Sequence, residues 1–111
     1  MSYREYIDHI KVNGQPRTSA TDKEVALNKK NVLKAVELLE GSDVVILGGD
    51  VYKKEDDGYY RPTYDNWYYN MDGSLDKKEN AQASHIVAMN YLSSYKENEA
   101  SNIQYVLVLD E

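Results

Sequence analysis

The sequence predicts an α+β fold, in which an antiparallel sheet of three to four strands carries two helices packed on one face. Three observations predict this fold class. Two segments have apolar residues at helical spacing, a continuous apolar run begins at residue 44, and the side chains of residues 103–109 alternate with the period of a strand. At 111 residues the chain is expected to form a single domain, residues 1–111. Residues 1–20 are left open between a helix and a short strand, and Gln15–Thr21 is expected to be an exposed loop.

The first predicted helix begins after Asn28, because asparagine is a frequent N-terminal cap. Its apolar residues recur at i, i+3, i+4 and i+7 and so form one stripe: Val32, Ala35, Val36 and Leu39. Gly41 is expected to end the helix, since glycine tolerates the left-handed conformation found just past helix C-termini.

A strand is predicted at Val44–Leu47, whose continuous apolar run is typical of a strand covered on both faces. The Gly48-Gly49 pair that follows predicts a bulge, a bend or a close backbone approach. Asp50 is expected to accept hydrogen bonds from nearby backbone amides. A diguanylate cyclase motif is disfavoured, because Val51 stands where that motif has a further acidic residue.

A hairpin turn is predicted at Asp56-Asp57-Gly58, because glycine accepts positive φ and aspartate caps its own turn. The return strand is expected over Tyr59–Tyr64, with a continuation through residues 66–69. Pro62 has no N–H to donate to a neighbouring strand, so the return strand is predicted to lie at a sheet edge.

The second predicted helix runs over Asp76–Tyr95, and Asp76 with Glu79 resembles a capping box. Its apolar face is expected to contain Ile86, Ala88, Met89, Leu92 and Ser93. Ile103–Leu109 is predicted to be the last strand, because its side chains alternate with the period of a strand. A polar connector over Lys96–Asn102 separates this helix from the strand.

Composition limits the kinds of partner. The net charge of −6 disfavours nucleic acid and anionic membranes and favours a basic partner. Absence of cysteine fits a reducing compartment, and neither a signal peptide nor an apolar run long enough to span a bilayer is visible. We therefore expect a cytoplasmic protein, with its oligomeric state left open.

The sequence contains no motif that indicates a catalytic site. His9 and His85, the only histidines, lack the spacing of metal ligands, and the glycines do not form a phosphate-binding loop. The acidic hairpin tip lies beside Lys53 and Lys54 and is expected to be exposed to water, whereas a pair of carboxylates that acts in acid–base catalysis needs an apolar pocket. The sequence thus predicts no catalytic, cofactor-binding or metal-binding residues, and no enzyme.

Aromatic residues carry the strongest functional signal. Residues 47–69 hold six of the 11 tyrosines and the only tryptophan, and these residue types dominate binding hot spots. Because neighbours in a strand point to opposite faces, one tyrosine of each adjacent pair should meet solvent or a partner. The predicted partner-binding residues are Tyr59, Tyr60, Tyr64, Tyr68 and Tyr69, with the charges of Asp56, Asp57 and Asp65. Trp67 is left open between core and interface.

Three segments together resemble the immunity protein 40 family, predicted immunity proteins of bacterial polymorphic toxin systems. They are ALNKKNVLKAVELLEG, VVILGGDVYK and PTYDNWYY, with a final strand like YVLVLD. The resemblance covers roughly Ala26–Tyr69 and extends loosely through the second helix and last strand. It implies a cytoplasmic protein that binds and neutralises a cognate toxin, and it assigns no residues to that task.

Two other classes of protein remain open. One is a non-catalytic interaction or adaptor domain that binds no toxin. The other is an acidic mimic of nucleic acid that inhibits a nuclease, although the mixed lysines and aspartates do not supply the rows of carboxylates that such mimicry needs.

Overall fold

The computed structural model describes residues 2–16, 25–97 and 102–110. Over these ranges the chain forms three helices and five strands: α1 (Tyr3–Asn13), β1 (Gln15–Pro16), β2 (Val25–Ala26), α2 (Lys29–Leu38), β3 (Val45–Lys54), β4 (Tyr60–Tyr68), α3 (Lys77–Ser94) and β5 (Ile103–Asp110). Most of the predicted loop Gln15–Thr21 and of the predicted connector Lys96–Asn102 lies outside the described residues.

The main sheet is antiparallel, with strand order β4-β3-β5, which confirms the predicted α+β class. β3 is central, as its apolar run predicted, and β4 lies at one edge, as Pro62 predicted. Beyond β5, Leu27 and Tyr105 exchange backbone hydrogen bonds of 2.9 and 2.8 Å. This bridge joins the small β1–β2 pair to the far side of the sheet.

The first residues of the chain, for which the sequence allowed a helix or a short strand, form helix α1. The side chain of Ser2 caps it by accepting the Glu5 N–H, and the buried rings and methyl groups of Tyr6 and Ile10 face the core. His9 donates from Nε2 to the carbonyl of Asn31 in α2 at 2.8 Å, which ties the two helices together. The helical spacing therefore prevails over the short strand.

The predicted N-terminal caps of the other two helices are confirmed. The side chain of Asn28 accepts the Asn31 N–H at 2.9 Å, and α2 then runs to Leu38. Gly41 adopts a left-handed φ of 82°, but it lies two residues past the C-terminal cap Leu39, so the helix ends earlier than predicted. Asp76 and Glu79 each accept the other's backbone N–H, which completes the capping box of α3.

The predicted apolar face of α3 was wrong in part. Ile86 is 63% exposed and lines a shallow cavity between α2 and α3. The buried face is instead made mainly of small and polar residues: Asn80, Ala81, Ser84, His85, Ala88 and Leu92. Small side chains let α3 approach β3 closely, where the Ile46 N–H donates to Ser84 Oγ at 2.9 Å and His85 Nε2 donates to the carbonyl of Val44 at 2.9 Å.

Candidate functional site

Large apolar side chains are exposed along the edge strand β4 and its flanks. Tyr59, Tyr64 and Tyr68 are 69%, 85% and 76% exposed, and Met71 is 47% exposed. Four of the seven exposed large hydrophobic residues in the described part of the chain thus lie within 13 positions. We call these four residues the tyrosine edge. Monomeric proteins seldom expose such a concentration without a binding role.

Each adjacent tyrosine pair has one held and one exposed member. Tyr60 donates its hydroxyl to Gln15 Oε1 at 3.2 Å and lies under the Lys54 ammonium, 5.7 Å from the ring centroid. Tyr69 donates its hydroxyl to Asn80 Oδ1 at 2.6 Å. The exposed members are Tyr59, just before β4, and Tyr68, its last residue, so each pair straddles an end of the strand rather than lying within it as the sequence predicted.

Tyr64 lies in a β-bulge that breaks the pairing of β3 and β4. Three residues of β4, Thr63–Asp65, stand opposite Val51 alone. Thr63 Oγ1 donates to the Val51 carbonyl at 2.8 Å and accepts the Asp65 N–H at 3.1 Å, so a side chain replaces the missing backbone pairing. Tyr64 has a φ of 70°, the one positive value outside glycine in the described residues. Bulges commonly re-aim a side chain at functional sites.

Trp67, which the sequence left open, belongs to the core. It is 6% exposed and stacks on Tyr91 of α3, with ring centroids 4.7 Å apart. Its ring lies across Gly49, where an added Cβ would meet the ring atom Cη2 at 2.3 Å. Glycine is therefore needed at this position so that the indole can lie against the strand.

The Trp67–Tyr91 stack continues through Tyr95 and Tyr105, with centroid separations of 5.8 Å at each further step. Tyr95 donates its hydroxyl to Asp65 Oδ2 at 2.6 Å. Burial, followed by the hydrogen bond to Asp65, raises the pKa of Tyr95 to about 12. Asp65, the last residue of the bulge, is thus anchored to the residue that caps the C-terminus of α3, which holds this part of β4 in place.

The charges of the hairpin tip balance one another. Three carboxylates and three cations lie together: Glu55, Asp56, Asp57, Lys53, Lys54 and Arg61. Arg61 lies 3.5 Å from Glu55 and 3.8 Å from Asp57 across exposed surface. Asp57 also accepts the Tyr59 N–H at 3.0 Å, which shapes the turn. Of the three predicted aspartate charges, only Asp65 lies away from this neutral tip.

A cleft of about 170 Å³ opens beside Tyr68. It is lined by Leu47, Gly48, Gly49, Asp50, Trp67, Tyr68 and Val108, and we call it the glycine cleft. Gly48 pairs with Tyr68 and has a φ of 154°, and an added Cβ there would lie 2.2 Å from the Trp67 carbonyl oxygen. The strand pairing also shifts register next to Gly48, which confirms the irregularity predicted from the glycine pair.

Asp50 does not behave as the sequence suggested. Asp50 is a half-buried residue, and its carboxylate makes no hydrogen bond or ion pair with any described residue, so the expected bonds to backbone amides are not found there. In the register of the sheet it stands opposite exposed Asn66. Because Trp67 faces the helices, Asn66 and Asp50 point to the opposite face. Sequence reasoning found no functional signal at this position.

Neither metal-binding chemistry nor a membrane span emerges from the described ranges. Within residues 2–16, 25–97 and 102–110, no three side chains of His, Asp or Glu gather in a way that could hold a metal ion. Among the helices of these ranges, none combines the length and the apolar character needed to cross a membrane.

Exposed tyrosines are enriched in surfaces that bind other proteins. The family model of immunity protein 40 matches residues 5–109. The chain belongs to this family of immunity proteins, as its three sequence segments had suggested. The match also includes most of α1, for which the resemblance gave no guidance. Comparison with curated proteins and with solved structures found no significant match.

Proposed function

We propose that this protein binds a cognate bacterial toxin in the cytoplasm through the tyrosine edge and thereby neutralises it. The observation that carries the proposal is the exposure of Tyr64 and Tyr68 on the edge strand β4 and of Tyr59 just before it. Family membership supports a toxin as the partner, since the family is one of immunity proteins. Tyr60, Tyr69 and Asp65 belong to the proposed surface as the residues that hold it.

Tyrosine suits this role physically. It offers a large amphipathic surface and has few rotatable bonds to freeze, so burial in a partner's pocket is efficient. An outward tyrosine that fills such a pocket contributes about 2 kcal/mol or more, which is about 30-fold in affinity. The bulge displays Tyr64 away from the regular strand, where a partner can surround it.

Charge plays a second part in the proposal. The net charge of −6 favours approach of a basic toxin, and this benefit fades with salt. Because the hairpin tip is locally neutral, Asp56 and Asp57 are expected to add little beyond the field of the whole molecule. Between Pro62 and Asp76 the chain has three acidic residues and no basic one, with Asp65 in β4 and the other two after it, so this segment carries more negative charge than the hairpin tip.

The proposed mode of action is occlusion rather than catalysis. Immunity proteins are in general non-catalytic. The pKa values that deviate in the site belong to Tyr91 and Tyr95, and burial raises both. A tyrosine with a raised pKa stays neutral at physiological pH and does not serve as a base. The protein is therefore proposed to act as a stoichiometric inhibitor.

The test is co-expression with the toxin encoded beside this gene in a sensitive bacterial host. Wild-type protein should restore growth, and alanine at Tyr59, Tyr64 and Tyr68 together should abolish protection while the protein remains folded. Alanine at Val12 and Ile86, which are 83% and 63% exposed outside β4, is the matched control and should protect fully. No protection by the wild type would contradict the immunity function and favour an adaptor domain.

A further inference from the structure

The glycine cleft joins three features that suit one kind of ligand group. Gly48 and Gly49 contribute only backbone, the exposed ring of Tyr68 forms a wall, and Asp50 supplies a carboxylate. We propose that this cleft receives an arginine side chain of the toxin. This inference rests on the proposed function, because the cleft adjoins the tyrosine edge at Tyr68.

The first argument is the state of Asp50. Asp50 is a half-buried residue that lines the cleft, and the described residues give its carboxylate no hydrogen bond or cation. Such a group gains most from a partner that brings positive charge and several N–H donors. The guanidinium group offers five donors in a planar fork that matches a carboxylate.

The second argument is the aromatic wall. Tyr68 pairs with Gly48 across the sheet, so its ring rises next to a position without a side chain. A guanidinium plane stacks well on an aromatic face, and it is less strongly hydrated than the ammonium of lysine. The same wall therefore favours arginine over lysine.

The third argument is charge selectivity. Asn66 faces Asp50 across the sheet and is neutral, and the neighbouring positions on β5 are the apolar Val106 and Val108. The residues described as lining the cleft include no cation. An arginine that enters the cleft therefore meets one unpaired negative charge and no repulsion.

The experiment compares Asp50→Asn with Asp8→Asn in toxin binding. Both replacements are isosteric and remove one negative charge, but Asp8 is exposed on α1, which packs on α2 and contributes no residue to the cleft. Asp50→Asn should weaken toxin binding at least about 30-fold, mainly through faster dissociation. Asp8→Asn should change it less than about threefold. Equal binding by wild type and Asp50→Asn would overturn the cleft proposal and leave the immunity function standing.

A second measurement does not depend on the toxin. N-acetyl-arginine amide, titrated to about 10 mM, should shift the backbone amide resonances of Gly48 and Gly49. The shifts should vanish in Asp50→Asn and be absent with N-acetyl-glutamine amide. If the arginine probe leaves the wild-type glycine resonances unmoved, or moves them equally in Asp50→Asn, the cleft does not bind a guanidinium. A wild type that fails to bind the toxin but passes this test would contradict the immunity function alone.

Discussion

Tyr64 combines backbone strain with almost complete exposure. A left-handed conformation costs a non-glycine residue about 1–2 kcal/mol, and the exposed ring returns little of this within the monomer. Strain that persists at an exposed position is typical of sites that bind ligands or partners. The backbone strain and the proposed binding role therefore belong to the same residue, and substitutions at Tyr64 can separate their effects.

Replacement of Tyr64 by glycine should give a protein about 1 kcal/mol more stable than replacement by alanine, because only glycine relieves the positive φ. Both variants should lose toxin affinity to a similar degree. Urea unfolding followed by the fluorescence of Trp67, the only tryptophan, measures the stabilities. At Tyr68, which lies in regular strand, the order should reverse and alanine should be the more stable. The same order at both positions would contradict the assigned strain.

At the scale of the element, β4 is an edge strand whose bulge is held by a hydroxyl group. Thr63 Oγ1 satisfies both the Val51 carbonyl and the Asp65 N–H. Pro62 and the bulge also leave few regular N–H groups at this edge, which protects it against pairing with another strand. The partner is therefore expected to contact side chains of β4 rather than to extend the sheet.

Thr63→Val removes the hydroxyl at nearly constant shape and should destabilise the fold by about 1–2 kcal/mol, because two backbone groups lose their partner. Thr63→Ser keeps the hydroxyl and is the matched control, with a smaller loss expected. Toxin affinity should follow the same order, since the bulge positions Tyr64. Chemical denaturation and binding measurements check both. Valine and serine variants of equal stability would show that the hydroxyl does not hold the bulge.

The sequence was sufficient for the elements whose signals are local. The stripe of α2, the capping box of α3, the Asp57-Gly58 turn and the alternation of β5 each lie within one segment. Features that depend on the register between strands could not be predicted from the sequence. The contact of Trp67 with Gly49 joins residues 18 positions apart, and the exposure of Ile86 follows from how closely α3 packs on β3.

The candidate site was predictable to a similar extent. Strand alternation identified one exposed member in each tyrosine pair, but it did not say which member the neighbouring side chains would hold. The positive φ of Tyr64 arises from a bulge of three residues, and no local turn motif in the sequence predicts this bulge. The position of Asp50 in a cleft depends on β4 and β5 as well as on β3, so the local sequence around Gly48-Gly49 does not predict it.

At the scale of the whole molecule, buried tyrosines make the stability of the fold decrease at high pH. Burial raises the pKa of Tyr6 above its usual value, so the folded state holds this proton more tightly than the unfolded chain does. Burial, followed by the hydrogen bond that the Tyr105 hydroxyl donates to Glu97, raises the pKa of Tyr105 as well. Stability from these groups is fully present below pH 10, where the unfolded tyrosines are neutral, and is lost as pH rises above it.

The urea concentration at the unfolding midpoint should therefore decrease as the pH is raised from 9 to 11. Tyr6→Phe removes one ionisable group from the core and should flatten this dependence. Unfolding curves at constant ionic strength across this range provide the measurement. A dependence as steep in Tyr6→Phe as in the wild type would assign the effect to other groups.

The central claim is that the protein binds its toxin through the tyrosine edge, and the dissociation rate of the complex tests it most directly. Surface plasmon resonance should compare the wild type with the triple alanine variant of Tyr59, Tyr64 and Tyr68. At about 2 kcal/mol for each of even two anchoring tyrosines, dissociation should accelerate more than about 100-fold, with association nearly unchanged. A triple variant that is folded and releases the toxin as slowly as the wild type would contradict the claim.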